Sequence, residues 1–339
     1  MRFYRVLLAS FLPLALAASN PNAEQVFRGR LEIGSQSLPI RMHLKSSGGK
    51  VRGSYLYEKI GQPLQLEGSL EQNRLKLREY SGQQPTGTFD GRLDKSGLEG
   101  SWTSPDGKRR GRFSLLEQDH RFAQARLTTR VIADPKRGLE VLYPQFSGVD
   151  KAAGWNRINQ VLAQEPTRLA WQYRQDYAEA LESFRKGQIE RWQLEMGALE
   201  LDYRLLLGTD RLLSVVMRGY GCGPGGCAHP SRFVMAYTLE PSSGKRIALS
   251  QLFKKSSNYL SRLREIGVEV ATSTYDASAR EAIRDNLDPR YLQWALSPEG
   301  LHVYWSVPHV LGDYIETLIP FSRLEGILEP NGPMSALKR

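Results

Sequence analysis

The sequence predicts an α+β protein. A small antiparallel β barrel or curved sandwich comes first, and an antiparallel sheet packed with helices follows it. Three observations predict this. Between Val26 and Leu116 the apolar residues alternate in short runs separated by turn residues, without helical spacing. Beyond residue 138, helical and strand-like stretches arrive in blocks, which favours an antiparallel layer over an alternating parallel sheet. The chain has 339 residues, 40% hydrophobic and 24% charged, enough for two globular domains and unlike a disordered or fibrous composition.

The first seventeen residues read as a secretory signal peptide. Arg2 and Arg5 precede the apolar run Val6–Leu16, and Ala15-Leu16-Ala17 is a small-x-small cleavage site. That run is shorter than the ~20 residues a spanning helix needs. The expectation is a periplasmic or secreted protein without a membrane span, which sets nucleic acid aside as a partner. Residues 24–117 form the predicted all-β domain, with strands at Val26–Ile33, Leu38–Lys45, Val51–Tyr57, Leu64–Leu70, Arg74–Glu79, Thr86–Leu93, Leu98–Trp102 and Arg110–Leu115. Turn chemistry separates them, as in Ser46-Ser-Gly-Gly49 and Ser104-Pro-Asp-Gly107. A glycine recurs two residues before a large side chain, at Gly53/Tyr55, Gly87/Phe89, Gly100/Trp102 and Gly111/Phe113. Strong curvature crowds small positions against bulky ones, so this pattern suits a barrel. About eight strands can close, either filled by side chains or around one small ligand.

Residues 118–137 read as a linker with one strand in Arg126–Ile132, and residues 138–330 as the α+β domain. Its elements run in order. A strand at Leu139–Tyr143 precedes helical spacing over Lys151–Lys186, where Pro166 is expected to start a second helix. Strands follow at Ile189–Met196, Leu199–Leu207, Leu212–Tyr220 and Arg232–Leu239, then a helical turn at Leu249–Phe253. Helices at Ser257–Gly267 and Ala277–Asn286, strands at Leu301–Val307 and Tyr314–Ile319, and a last helical turn at Phe321–Ile327 complete the set.

One ordered set of segments is distinctive. Leu213-Ser-Val-Val-Met-Arg-Gly-Tyr220 leads into a glycine loop ending Ala228-His229-Pro230, and then into Tyr237-Thr-Leu-Glu-Pro-Ser-Ser-Gly-Lys-Arg-Ile-Ala-Leu-Ser-Gln-Leu-Phe253. This order resembles the extracellular domain of unknown function 3298. That domain is shared by the lysozyme-sensing anti-sigma factor and a peptidoglycan deacetylase of Gram-positive bacteria. Leu139–Ala180, with Tyr143-Pro144-Gln145 and Ile158-Asn159, resembles the companion domain that precedes it. The resemblance covers Leu139 to Leu328 and not the β domain. It implies a free-standing exported binding module: no sigma-binding segment precedes the apolar stretch, and the deacetylase's His-x-x-x-His pair is missing. The sequence departs from the family in two places. Its glycine loop carries Cys222 and Cys227. The family's Pro-Tyr-x-x-Gly before the last strand reads here Pro308-His309-Val310-Leu311-Gly312, with His where Tyr is usual.

The candidate binding residues are therefore Gly221, His229, Pro230, Tyr304, Pro308, His309 and Gly312. Two cysteines in one loop of an exported protein read as the disulfide Cys222–Cys227, with a zinc site built on both thiolates and His229 as the alternative. No Gly-x-Ser-x-Gly elbow accompanies His229. His302 and His309, around one strand, do not make a metal pair in regular geometry. Neither a catalytic set, a metal site nor a cofactor is expected. The net charge is +10, and residues 24–117 hold 16 basic against 11 acidic residues, a balance that favours acidic partners. Two functions follow. The first is an envelope protein that binds and inhibits a lysozyme-like muramidase, meeting that basic partner with an acidic set such as Glu190, Glu195, Glu200 and Asp202. The alternative is a cell-wall or envelope glycan-binding module without catalysis.

Overall fold

The computed structural model describes residues 24–60, 62–94, 97–118, 122, 125–148, 153–285 and 292–337; the signal peptide expected at 1–17 lies outside them. The chain divides into two compact units, one holding the strands up to residue 117 and the other residues 118–339 with the short segment 58–60.

The first unit is a closed eight-stranded barrel. Its strands are β1 (Glu24–Ile33), β2 (Gln36–Ser47), β3 (Lys50–Tyr57), β4 (Pro63–Glu71), β5 (Arg74–Ser81), β6 (Gln84–Asp94), β7 (Gly97–Thr103) and β8 (Arg110–Glu117). Each pairs antiparallel with the next, and β8 returns to β1 through Leu31↔Phe113, so no edge is left exposed. The predicted alternation is realised: Leu75 and Leu77 are buried while Arg74, Lys76 and Arg78 are exposed. Side chains fill the interior, with Tyr55, Phe89 and Phe113 meeting edge to face at centroid distances of 5.1 and 5.2 Å. The glycine pattern has its physical reason at Gly100. A Cβ there would stand 2.2 Å from the Asp90 carbonyl oxygen and 2.9 Å from Phe113 Cζ. One carboxylate is buried among these rings. Glu79 accepts hydrogen bonds from Tyr55 Oη at 2.8 Å and Trp102 Nε1 at 2.7 Å, as a buried polar group requires.

The second unit stacks helices and two sheets. Its elements are β9 (Arg126–Asp134), β10 (Leu139–Ser147), α1 (Ala153–Arg185), α2 (Arg191–Glu195), β11 (Ala198–Gly208), β12 (Leu213–Cys222), β13 (Ser231–Glu240), β14 (Lys245–Arg246), α3 (Tyr259–Thr274), α4 (Ala277–Asp285), β15 (Gln293–Leu296), β16 (Gly300–Ser306) and β17 (Tyr314–Pro320). Six strands form one sheet in the order β14-β13-β12-β11-β10-β9, and three form another in the order β15-β16-β17. Trp155, Ile158, Leu162 and Tyr173 of α1 pack on one face of the large sheet, with Val141, Leu201, Val215 and Met217. Leu206, Val216 and Ala236 on the opposite face meet Ala295 and Tyr304 of the small sheet. Leu263 and Ile266 of α3 and Ile283 of α4 join Trp294, Val303 and Trp305 in a further core. β12 is thus covered on both faces, which explains its unbroken run Leu213–Met217.

The structure corrects four expectations. The helix runs unbroken through Pro166, because buried Trp155, Ile158 and Leu162 before it and Ala170 and Tyr173 after it anchor both halves, outweighing the ~3 kcal/mol a proline costs. The stretch expected as the strand Ile189–Met196 is instead the short helix α2, started by a capping box in which the Glu190 amide donates to Gln193 Oε1 at 2.8 Å. β10 and β11 pair in parallel, since the helical crossover returns the chain in the same direction. The sheet is split in two, and the small one includes β15, a four-residue strand that the sequence reading omits. The family-like residues at the start of the unit clip α1 to β10. The Phe146 amide donates to Asn159 Oδ1 and Asn159 Nδ2 donates to the Phe146 carbonyl, both at 2.8 Å.

Candidate recognition surface

The loop between β12 and β13 is tied by a disulfide, Cys222–Cys227, which resolves the alternative left by the sequence in favour of cross-linking. The loop rests on α2: the Gly225 amide donates to the Gln193 carbonyl at 3.2 Å. Cys222 is buried while Gly223, Gly226, Ala228 and His229 are exposed, so the cross-link holds the base and offers the rim.

The turn between β16 and β17 comes to the same place. Pro308 precedes a single 3-10 turn, His309–Leu311, which ends at Gly312 with φ +92°. Asp313 follows with φ +70°, a left-handed conformation that only short polar side chains support outside glycine. Two hydrogen bonds make that support: Asp313 Oδ2 accepts from the Arg232 amide at 2.7 Å, and Asp313 Oδ1 lies 2.7 Å from His309 Nδ1. Partial burial works against ionisation of Asp313. The bonds from Arg232 and His309 and the nearby Arg232 charge outweigh it, holding the carboxyl below the ordinary range. The carboxylate therefore fastens the 308–313 turn to the first residues of β13.

This junction brings His229 and His309 together with ring centroids 5.9 Å apart. Val310 projects beside them, 90% exposed. The sequence-predicted residues His229, Pro308, His309 and Gly312 share one surface; Gly221 and Pro230 flank the loop, half-buried. Tyr304 differs: it is 1% exposed and lies beneath, with its hydroxyl donating to Glu316 Oε1 at 3.0 Å. Arg232, Asp313 and Val310 complete the arrangement, although the sequence reading did not name them among the binding residues.

Beneath the surface runs a polar network. Glu316 Oε2 accepts from Arg218 at 2.5 Å, and Glu316 Oε1 also meets His302 Nδ1 at 2.9 Å. His302 Nε2 lies 3.0 Å from Ser297 Oγ. Burial pushes the Glu316 carboxyl up, but His302, Arg218 and Tyr304 together hold it below the ordinary range. The Arg218 guanidinium stands 5.9 Å over the Tyr304 ring, and Arg232 stands 5.3 Å over Tyr314. By distance, Ser297, His302 and Glu316 match the order of a hydrolase relay. Ser297 is 4% exposed, and its own amide is spent on the Gly300 carbonyl at 2.9 Å in a tight turn. The network pins the β15–β16 hairpin to β17, the strand that follows the 308–313 turn.

The acidic set considered from sequence is dispersed in role. Glu195 pairs with Arg191 at 2.6 Å, and Glu190 accepts from Trp192 Nε1 at 2.8 Å. Among the described residues, no helix is long and apolar enough to cross a membrane, and no group of three or more His, Cys, Asp or Glu is placed to hold a metal ion.

No protein-family model matches the chain, and no curated protein matches it. Among solved structures it is similar to a member of the DUF3298 family from Bacteroides fragilis, with a TM-score of 0.46 and 14% identity over 63% of this chain and 97% of that one. It is also similar to a DUF3298 family protein from Pseudomonas aeruginosa, with a TM-score of 0.37 and 16% identity over 61% of this chain and 93% of the other.

Proposed function

We propose that this chain is an exported envelope protein that binds, without catalysis, a lysozyme-like muramidase and blocks its lytic action. One observation carries the reading. Two loops far apart in sequence are locked side by side, one by a disulfide and the other by Asp313, and together they present an apolar tip at Val310. A preorganised loop pair lowers the ordering cost of association. An exposed valine ringed by polar groups suits an apolar slot on a partner. The resemblance of residues 139–328 to the lysozyme-sensing domain supplies the partner class.

The test is calorimetric titration of the chain from Ala18 onward into c-type and bacterial muramidases, with a parallel lysis-inhibition assay. Micromolar or tighter binding with loss of lysis is expected. Val310→Asp, which places a charge at the tip without touching the core, should abolish both. No heat with any muramidase, or full inhibition by V310D, refutes the reading.

A further inference from the structure

The barrel carries a second surface that the recognition loops do not explain. On the outer face of β2–β5, residues paired across the strands form two polar rows. One reads Lys45, Arg52, Glu67, Arg78 and the other Lys50, Ser69, Lys76. Their neighbours Val51, Leu66, Leu75 and Leu77 point inward and are buried, so the rows are committed to solvent. A cleft of about 700 Å³ opens on β3–β5 with Lys50, Arg52, Lys76 and Arg78 in its walls against the single carboxylate Glu67. Glu67 meets Arg52 at 3.5 Å, but both side chains are more than half exposed, so water and salt screen that pair strongly. The cleft is strongly cationic. Its lining also includes the partly exposed ring of Tyr80 and the hydroxyls of Ser69 and Thr88.

The contrast within the same barrel is instructive. A larger cleft of about 1140 Å³ lies across β1 and β5–β8, and it is internally balanced. There Arg74 grips Asp90 through two bonds at 3.0 and 3.3 Å, so its charges are already answered. The β3–β5 cleft lacks such balance. Its cations recur on every second strand, ~10 Å apart at the usual strand spacing. That spacing suits a linear polymer with an anionic group in each short repeat. Among the described residues of the barrel, the large exposed apolar residue Leu116 lies outside these rows, which argues against a lipid bilayer as the occupant. An aromatic ring and hydroxyls among cations fit sugar rings bearing acidic groups.

We propose that the barrel is an acidic-polysaccharide-binding domain whose ligand lies in the β3–β5 cleft, with Lys50, Lys76 and Arg78 meeting its anionic groups and Tyr80 stacking on a sugar face. This site is independent of the loop surface, so either can fail without the other.

The test uses the full chain with polygalacturonate as the linear polyanion, dextran as its neutral counterpart and phosphatidylglycerol vesicles as the lipid arm. Binding to polygalacturonate should be clear at low ionic strength and fall steeply with added salt. The double variant Lys76→Glu/Arg78→Glu should weaken it about tenfold. The variant Arg126→Glu/Arg130→Glu makes the same change in net charge on β9 and should move it less than about twofold. All variants should keep the wild-type circular dichroism and their muramidase response. Equal weakening by both variants would reduce the effect to net charge and overturn the proposal. So would equal binding of dextran, capture by vesicles without polygalacturonate, or no polygalacturonate binding at low salt.

Discussion

Removing the Asp313 carboxylate is the sharpest perturbation of the junction between the 308–313 turn and β13. Asp313→Ala deletes the acceptor for the Arg232 amide and the partner of His309 Nδ1. The hydrogen bond from the Arg232 amide to the charged carboxylate contributes ~1.5 kcal/mol, the lower end for charged groups, while the contact with His309, 42% exposed against 21% for Asp313, is screened and adds little. Alanine must also hold φ +70° without a side chain that relieves it, at a further cost of ~1 kcal/mol. The sum is about 2–3 kcal/mol, concentrated where the 308–313 turn meets β13. Hydrogen exchange reads it directly. The Arg232 amide should lose about thirtyfold or more of its protection, while amides in the barrel stay unchanged. Asp313→Asn keeps an acceptor for Arg232 and tolerates the left-handed backbone, so it should recover most of the protection at neutral pH. The pH sign is fixed by the lowered folded pKa. The carboxylate's contribution is complete above the ordinary aspartate range, about 3.9. It drains away as pH falls through the lower folded value. Asp313→Asn should flatten that acid limb. Unchanged Arg232 protection in Asp313→Ala, or an identical acid limb in Asp313→Asn, would show that the carboxylate does not hold the two loops together.

The other expectations concern the supports around this junction. Cys222→Ser with Cys227→Ser opens a cross-link spanning five positions, worth about 2 kcal/mol by loop entropy; exchange should rise in residues 223–230, muramidase binding should weaken, and reduced wild type should behave alike. Glu79→Ala leaves the Trp102 indole N–H without its acceptor and the Tyr55 hydroxyl with Tyr57 Oη alone, costing about 1–3 kcal/mol, whereas Glu79→Gln keeps an acceptor and costs far less; tryptophan fluorescence during urea unfolding checks both. Glu316→Ala leaves Arg218, His302 and Tyr304 without their shared partner and should cost ~2–3 kcal/mol, less than a fully buried pair because Glu316 keeps some solvent. Because the folded Glu316 pKa is lowered, its contribution is present above the ordinary glutamate range and lost in acid; Glu316→Gln should thus show its largest deficit near neutrality and converge on wild type at low pH.

What was legible in the sequence follows the range of the interactions that decide each feature. The barrel is written locally. Period-two burial in Leu75-Lys-Leu77, turn residues between strands and glycines opposite large rings each act within one hairpin, so eight strands could be placed from sequence. The unbroken helix across Pro166 was not legible, because the sheet residues that overrule the proline, Val141 and Leu201, lie far from it in the chain. The candidate surface divides in the same way. The loop at 221–230 and the turn at 308–312 announce themselves by glycine, proline and cysteine. Their meeting depends on Arg232 and Asp313, 81 positions apart, and no periodicity encodes that pairing. The His302–Glu316 bond is equally silent. Register sets Glu316 opposite Tyr304 and His302 opposite Leu318, so the bond is a diagonal that exists only once β16 and β17 have paired. The parts of the candidate surface are thus local and readable, while its rigidity rests on long-range polar ties. Substitutions at Asp313 and Glu316 should therefore impair partner binding more than their modest effect on stability suggests: they leave both loops intact and remove what keeps them in register.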